Sequence, residues 1–291
     1  MPPRPARTRP LGTMIAYGFP RVALAEELAL AARLGALCLE ILPDWAALPD
    51  PRELRARAAD AGLAVHSAHG CWGGRTIRAP RVDLGQTHPA EHRAGLDDLR
   101  RCLDWLHAAG GTYLVVHPGG LSDPEQAAPR RAALAGGLRE LADHARGTGL
   151  VVCVENMPPG VHPGSRMADL ADLLAELARP ELALALDTGH ANITATAAAE
   201  TLAAGTLLRT THVHDNNGRH DAHEPPGSGT VDWDGWTAAL DAIGYAGPVL
   251  LECIRHLRHQ PECLNERLFA LLDRLTAGGR RVETGRPPSA T

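Results

Sequence analysis

Eight times along this chain, an apolar β-rich run of about five to eight residues gives way to a stretch rich in Ala, Leu and Arg with helical spacing. The runs are LGTMIAY (11–17), ALCLEIL (36–42), LAVHSAH (63–69), TYLVVH (112–117), LVVCVEN (150–156), LALALD (182–187), LRTTHVHD (208–215) and PVLLEC (248–253). They are nearly continuous apolar segments rather than strict alternations, which suits a parallel sheet covered on both faces. Between them lie amphipathic segments such as RVALAEELALAARLG and SRMADLADLLAELARP, the second opening with Ser165 at an N-cap position. Eight βα units of roughly 35 residues match a (β/α)8 TIM barrel of about 250 residues. The expected fold is therefore α/β, a single TIM barrel over residues 11–280. A doubly wound open sheet is the rival, but no GxGxxG follows the first run to support it. Residues 1–10 and 281–291 read as loose tails, and 71–87 and 216–231 as the longest irregular connections.

Composition narrows the partners. Hydrophobic residues make up 44% of the chain, enough for a sizeable core. With 29 Lys and Arg against 34 Asp and Glu, no net basic field attracts nucleic acid or acidic membranes, although a local basic groove is compatible. The opening MPPRPARTRP carries arginines without a following apolar core, and no run of about 18 apolar residues occurs, so neither export nor a membrane span is indicated and a cytoplasmic location is expected. Six cysteines occur without a CxxC, and Cys38, Cys153 and Cys253 sit inside apolar runs, as reduced core thiols do.

A barrel of this kind builds its active site where strands end. From the third run onward each ends in a residue able to bind metal: His69, His117, Glu155, Asp187 with His190 just beyond, His212 and Glu252. The stretch THVHDNNGRHDAHEPPGSGTVDW (211–233) adds Asp221 and His223. One strand-end His or Glu is usually structural; six in succession are not explained that way. Several carboxylates gathered at one mouth would cost several kcal/mol per unpaired charge, so a divalent cation is the natural compensation. His, Asp and Glu without Cys suit Zn2+, Mn2+, Fe2+ or Co2+. By the two-residue period His214 shares the face of His212, as a ligand or just behind one, whereas His66 falls on the face opposite His69 and reads as structural. Glu40 in LEIL is a candidate to reach the mouth, and Trp72 in HGCWGG to wall the pocket. His88, His92, His107, His144, His256 and His259 read as surface residues.

With those positions marked, the chain resembles the xylose isomerase-like TIM barrels, which include sugar phosphate isomerases/epimerases and AP endonucleases of the endonuclease IV type. VVHPGG, VCVENMP, LALDTGHAN and HVHDNNGRHDAHEPPGSGTVDW carry the resemblance by their order and spacing. The endonuclease branch implies three zinc ions held by His69, His117, Glu155, Asp187, His190, His212, Asp221, His223 and Glu252. The ketose epimerase branch implies a single metal on Glu155, Asp187, His212 and Glu252, with His190 near the substrate. Both give a divalent cofactor, Zn2+, Mn2+ or Co2+, in one to three copies. DTGH in place of the nucleases' DTCH, HVHDNNG in place of their HLND motif, and Gly73 after Trp72 in place of an apolar wedge all favour the isomerase branch.

The expectation is thus a divalent-metal-dependent isomerase or epimerase of a sugar, sugar phosphate or polyol ketone. It would transfer a proton through a metal-stabilised enediolate, with Glu155 and Glu252 as the acid–base pair. His190, Arg219, Trp72 and His214 are expected around the substrate, and PPGSG gives the seventh loop freedom to act as part of a lid. The alternatives are a zinc-dependent AP endonuclease and a barrel that binds metal and sugar without chemistry. The expected partner is a small sugar-like molecule, with no membrane and no favoured nucleic acid; family barrels often pair, which implies a homo-oligomer.

Overall fold

The computed structural model describes residues 8–72 and 81–277; Gly73, residues 1–7 and the 281–291 tail lie outside the described residues. The strands are β1 (Leu11–Tyr17), β2 (Cys38–Pro43), β3 (Ala64–His69), β4 (Tyr113–Val116), β5 (Val151–Glu155), β6 (Leu182–Asp187), β7 (Leu208–His212) and β8 (Val249–Leu251). Among the described residues the helices are α1 (Leu24–Leu34), α2 (Pro51–Asp60), α3 (Pro89–Ala109), α4 (Ala127–Ala145), α5 (Met167–Leu177), α6 (Thr188–Thr194), α7 (Ala197–Ala204), α8 (Trp233–Ala242), α9 (Ile254–His259) and α10 (Glu266–Ala277). The strands pair in parallel in the order β7-β6-β5-β4-β3-β2-β1-β8. Just beyond β7, the amide of Val213 donates to Leu250 (2.7 Å) and Glu252 donates back to Val213 (3.1 Å), closing the ring. The expected single (β/α)8 barrel is the observed one.

Strand alternation decides what reaches the mouth. Val115, Cys153, Ala183 and Ala185 pack together inside the barrel, while Leu114, Val116, Val152, Val154, Leu184 and Leu186 join the outer core beneath the helices. Two residues beyond an inward-facing position the chain faces inward again. Val115 therefore leads to His117, Cys153 to Glu155 and Ala185 to Asp187, so small interior residues below are followed by polar ones at the rim.

This parity fails at His66. A bulge pairs Leu39 with Val65 but Glu40 with Ser67, leaving His66 as the extra residue. His66 does not sit on the helix-covered face that parity assigned it. It packs on Tyr113 (4.8 Å between rings) and lines a hollow at the strand-start end of the barrel, remote from the site. Burial pushes its imidazole down to about 4, against the pull of Glu40. The loose-tail reading does not extend to residues 8–10 either. The Thr8 and Arg9 amides donate to Thr276 (2.9 and 3.1 Å), and the buried Arg9 guanidinium bonds Asp241 and the Tyr245 carbonyl (3.1 Å).

All six cysteines are free, five of them buried. Among the described residues no helix is long and apolar enough to cross a membrane.

Candidate metal and substrate site

Glu155 stands at the centre. Its Oε1 lies 3.0 Å from His212 Nδ1, and its Oε2 lies 3.3 Å from His117 Nε2 and 3.7 Å from His69 Nε2. Glu252 approaches the same His212 nitrogen to 3.1 Å. Asp187 is fixed from behind, because Asn156 accepts from its amide (2.7 Å) and donates to its carbonyl (3.1 Å). Its Oδ1 caps α6 through the His190 amide (2.7 Å), and its Oδ2 meets His214 Nε2 at 2.9 Å.

The imidazoles are held in defined tautomers. His69 Nδ1 donates to the Gly70 carbonyl (2.9 Å), His190 Nδ1 to the Asn156 carbonyl (2.8 Å) and His223 Nδ1 to the Glu252 carbonyl (3.2 Å). Each then turns its Nε2 toward a carboxylate of the site: Glu155 for His69, and Asp221 for His190 and His223 (3.2 Å each). His212 is reversed, with Nε2 donating to Glu40 (2.7 Å) and Nδ1 facing Glu155 and Glu252. Fixing one ring nitrogen so that the other presents its lone pair is how proteins prepare metal-binding histidines.

Donor atoms gather in three groups, each within 4.8 Å: His69, His117 and Glu155; Glu155, Asp187, His212 and Glu252; and His214, Asp221 and His223. The nine residues that the resemblance implied did not include His214, which the structure brings into the third group, while His190 also meets Asp221. His214 is fully buried and stacked on His223 at 4.1 Å. Gly189 makes room for it, because a Cβ at that position would collide with the His214 ring.

A dication fits this arrangement. Glu155 Oε2 and Glu252 Oε2 are buried and face imidazole nitrogens, His117 Nε2 at 3.3 Å and His212 Nδ1 at 3.1 Å, so carboxylate charge and ring nitrogens converge where a cation would offset the cost of burying them. Burial opposes ionisation of Glu155, but the charge of His212 and hydrogen bonds from His117, His212 and His69 outweigh it and hold the carboxyl well below its usual range. Asp187 is likewise held down to about 2, with His190 and His214 outweighing burial. Against burial, Asp187 and Asp221 hold His190, and Glu252, Glu40 and Glu155 hold His212, well above the ordinary imidazole range. His117 goes the other way, lowered first by burial.

A cavity of about 1040 Å3 opens over these groups, lined by His69, Trp72, His117, Glu155, His190, Arg219 and Glu252 among others. Trp72 leans on His117 (5.5 Å between rings) and Arg219 is exposed on the seventh loop, so both expected wall residues border the space. Asp187, His212 and His214 lie beneath it, fully buried.

Two features escape a residue-by-residue reading. Glu40 lies behind His212 rather than at the mouth, fully buried, its second oxygen accepting from Ser67 (2.6 Å). Asp215, also fully buried, accepts from the amides of Asn216 (2.9 Å), Gly227 (2.9 Å) and Val231 (3.1 Å) and from the Trp233 indole (3.1 Å). The seventh loop expected to move as a lid is thereby tied at its base, and Gly229 is required because a Cβ there would strike the Asn216 carbonyl. The cue for Asp215 was its place directly after the HVH run, pointing away from His214.

The chain belongs to the family described as xylose isomerase-like TIM barrel, which it matches over residues 28–275. It is 32% identical over 177 residues to an L-ribulose 3-epimerase of Methylomonas sp. (strain DH-1), covering 59% of this chain and 60% of that protein. It is 30% identical over 210 residues to a ketose 3-epimerase of Arthrobacter globiformis, covering 70% of this chain and 68% of that one. The crystal structure of a D-allulose 3-epimerase from Methylomonas sp. superposes with a TM-score of 0.70 at 26% identity, covering 85% of each chain.

Proposed function

We propose that this protein is a divalent-metal-dependent ketose epimerase or isomerase that moves a proton at the carbon beside a carbonyl. The observation that carries the reading is the pair of carboxylates, Glu155 and Glu252, 3.0 and 3.1 Å from the same His212 nitrogen beneath an open polar cavity. The ketose 3-epimerases to which the chain is similar support the same chemistry.

Glu155, Asp187, His212 and Glu252 would hold the principal ion, which would supply Lewis-acid polarisation of the substrate carbonyl and so acidify the neighbouring C–H. Glu155 at the end of β5 and Glu252 after β8 approach from different staves, so one carboxylate removes the proton while the other, carrying a solvent-derived proton, delivers its own to the opposite face. Return to the neighbouring carbon instead gives isomerisation. Glu40 keeps His212 in one tautomer, and Asn156 with His214 keeps Asp187 in place. His190, Trp72 and Arg219 border the substrate space and orient its hydroxyls.

The further groups, His69 with His117 and His214 with Asp221 and His223, give the site capacity for more ions, which favours phosphodiester hydrolysis at an abasic site as the second reading. Incubating Mn2+-, Co2+- or Zn2+-loaded protein with a panel of ketoses, and separately with an abasic-site duplex, tests the choice. Inversion or carbonyl migration in a ketose supports the first reading. Specific nicking without any sugar conversion replaces it with the second.

A further inference from the structure

The space above the donor groups does not end with them. A second hollow of about 690 Å3 shares Met14, Leu42, Asp221, His223 and Glu252 with the first and runs on toward α9. Its outer wall is Ile254, Arg255, His256, His259 and Gln260, so two histidines that read as surface residues also border the mouth.

This wall is built in advance. Glu27 of α1, 1% exposed, receives Arg258 through two hydrogen bonds (2.8 and 2.9 Å), and its Oε2 also accepts the Ala16 amide (2.9 Å). The pair docks α9 onto α1 and β1, so the wall needs no ordering when a ligand arrives.

With Arg258 engaged, the remaining charge on the wall has no partner. Arg255 is exposed and makes no ion pair or hydrogen bond among the described residues, and His256 Nδ1 is buried without a partner. The two acids that border this hollow, Asp221 and Glu252, both belong to the donor groups, leaving its outer half basic. Each hollow falls within or near the ~300–1,000 Å3 that encloses a whole drug-sized ligand. A hexose reacting over Glu155 and Glu252 therefore leaves the α9 side unfilled.

We propose that this outer hollow is a subsite for an anionic group, a phosphate ester or a carboxylate, carried by the substrate at the end remote from its reacting carbons. Arg255 is the principal contact, because a guanidinium pairs with either anion through two parallel hydrogen bonds, and His256 and His259 flank it. Binding energy gathered at the remote end also positions the reacting end. The inference rests on the reading of the mouth as a ketose site.

Titration calorimetry on the Mn2+-loaded protein tests it, with D-fructose, D-fructose 6-phosphate and the corresponding ketohexuronate as probes and epimerisation assayed in parallel. At least one anionic probe binds about tenfold or more tighter than fructose, and Arg255→Ala and His259→Ala each shrink that ratio severalfold, as the loss of a charge-assisted contact requires. Which anion gains identifies the substituent. Equal affinities in the unmodified protein overturn the subsite, as does a preference that Arg255→Ala leaves intact, since the anion then sits on the metal. An anion preference lost in Arg255→Ala without turnover of any probe upholds the subsite and counts against the epimerase reading alone.

Discussion

Glu40 of β2 and His212 of β7 share a 2.7 Å hydrogen bond across the barrel interior, and neither side chain is exposed. The bond fixes which nitrogen of His212 points up, and so places Nδ1 between Glu155 and Glu252. Burial opposes the charge on Glu40, but His212 outweighs it and holds this carboxyl below its usual range. Glu40→Gln keeps the shape and removes the charge. Metal affinity, measured by equilibrium dialysis, is expected to fall about 10–100-fold, the usual effect of losing such a supporting carboxylate. Unchanged affinity would mean that Glu40 merely fills the barrel.

Metal binding is expected to expel protons. In the metal-free protein His190 and His212 are held well above the ordinary imidazole range, burial being outweighed chiefly by Asp187 for the first and Glu252 for the second. Their charged forms are favoured there, and a ligating imidazole must be neutral. The stability these charged pairs lend the metal-free protein is present below the unfolded histidine value of about 6.5 and lost as pH rises through the raised folded values. Metal affinity therefore climbs as pH rises through those raised values. Calorimetry in buffers of different ionisation heat reads this as proton release; binding with none would show that the imidazoles are already neutral.

Asp215 is expected to be structural and expensive to remove. Asp215→Ala leaves three backbone amides, two of them buried, and a buried indole N–H without their acceptor. Hydrogen bonds to a charged group are worth about 1.5–3 kcal/mol each, so denaturant unfolding should show a loss of about 3 kcal/mol or more. Limited proteolysis should cut first within residues 216–231. Cleavage at the same sites and rate as in the parent chain would show that the loop is held by something else.

Gly189 and His214 are expected to be coupled. Gly189→Ala alone forces the His214 ring from its stack on His223 and weakens metal binding. In a His214→Asn background the same substitution is expected to cost much less, because the collision is gone. A double-mutant cycle on metal affinity should give a coupling of about 1 kcal/mol or more. Simple additivity would break the link.

The repeating pattern of apolar runs was enough to reach the barrel, because a buried parallel strand is written as a continuous apolar segment and each one here is short and well punctuated. The strand-end donors were legible for the same reason: inward-facing positions recur every second residue, so Cys153 leads to Glu155 and Ala185 to Asp187. Where the period breaks, the reading broke. The bulge at His66 depends on how β2 and β3 pair, which neither strand records by itself. Glu40 was visible as a carboxylate in an apolar strand, but its depth behind His212 is set by the stagger of β2 against β7. The basic wall at α9 was hidden because Arg255, His256 and His259 look like any charged helix until Arg258 and Glu27 lock that helix over the mouth.

The central claim is that Glu155 and Glu252 exchange a proton with the carbon beside a ketose carbonyl. Its most direct test is mass spectrometry or NMR of ketose recovered from metal-loaded protein in D2O. Deuterium is expected at that carbon in both recovered substrate and product, with the rate reduced by orders of magnitude in Glu155→Gln and Glu252→Gln variants that still bind metal. Product formed without solvent deuterium, or exchange undiminished in both variants, would contradict the account.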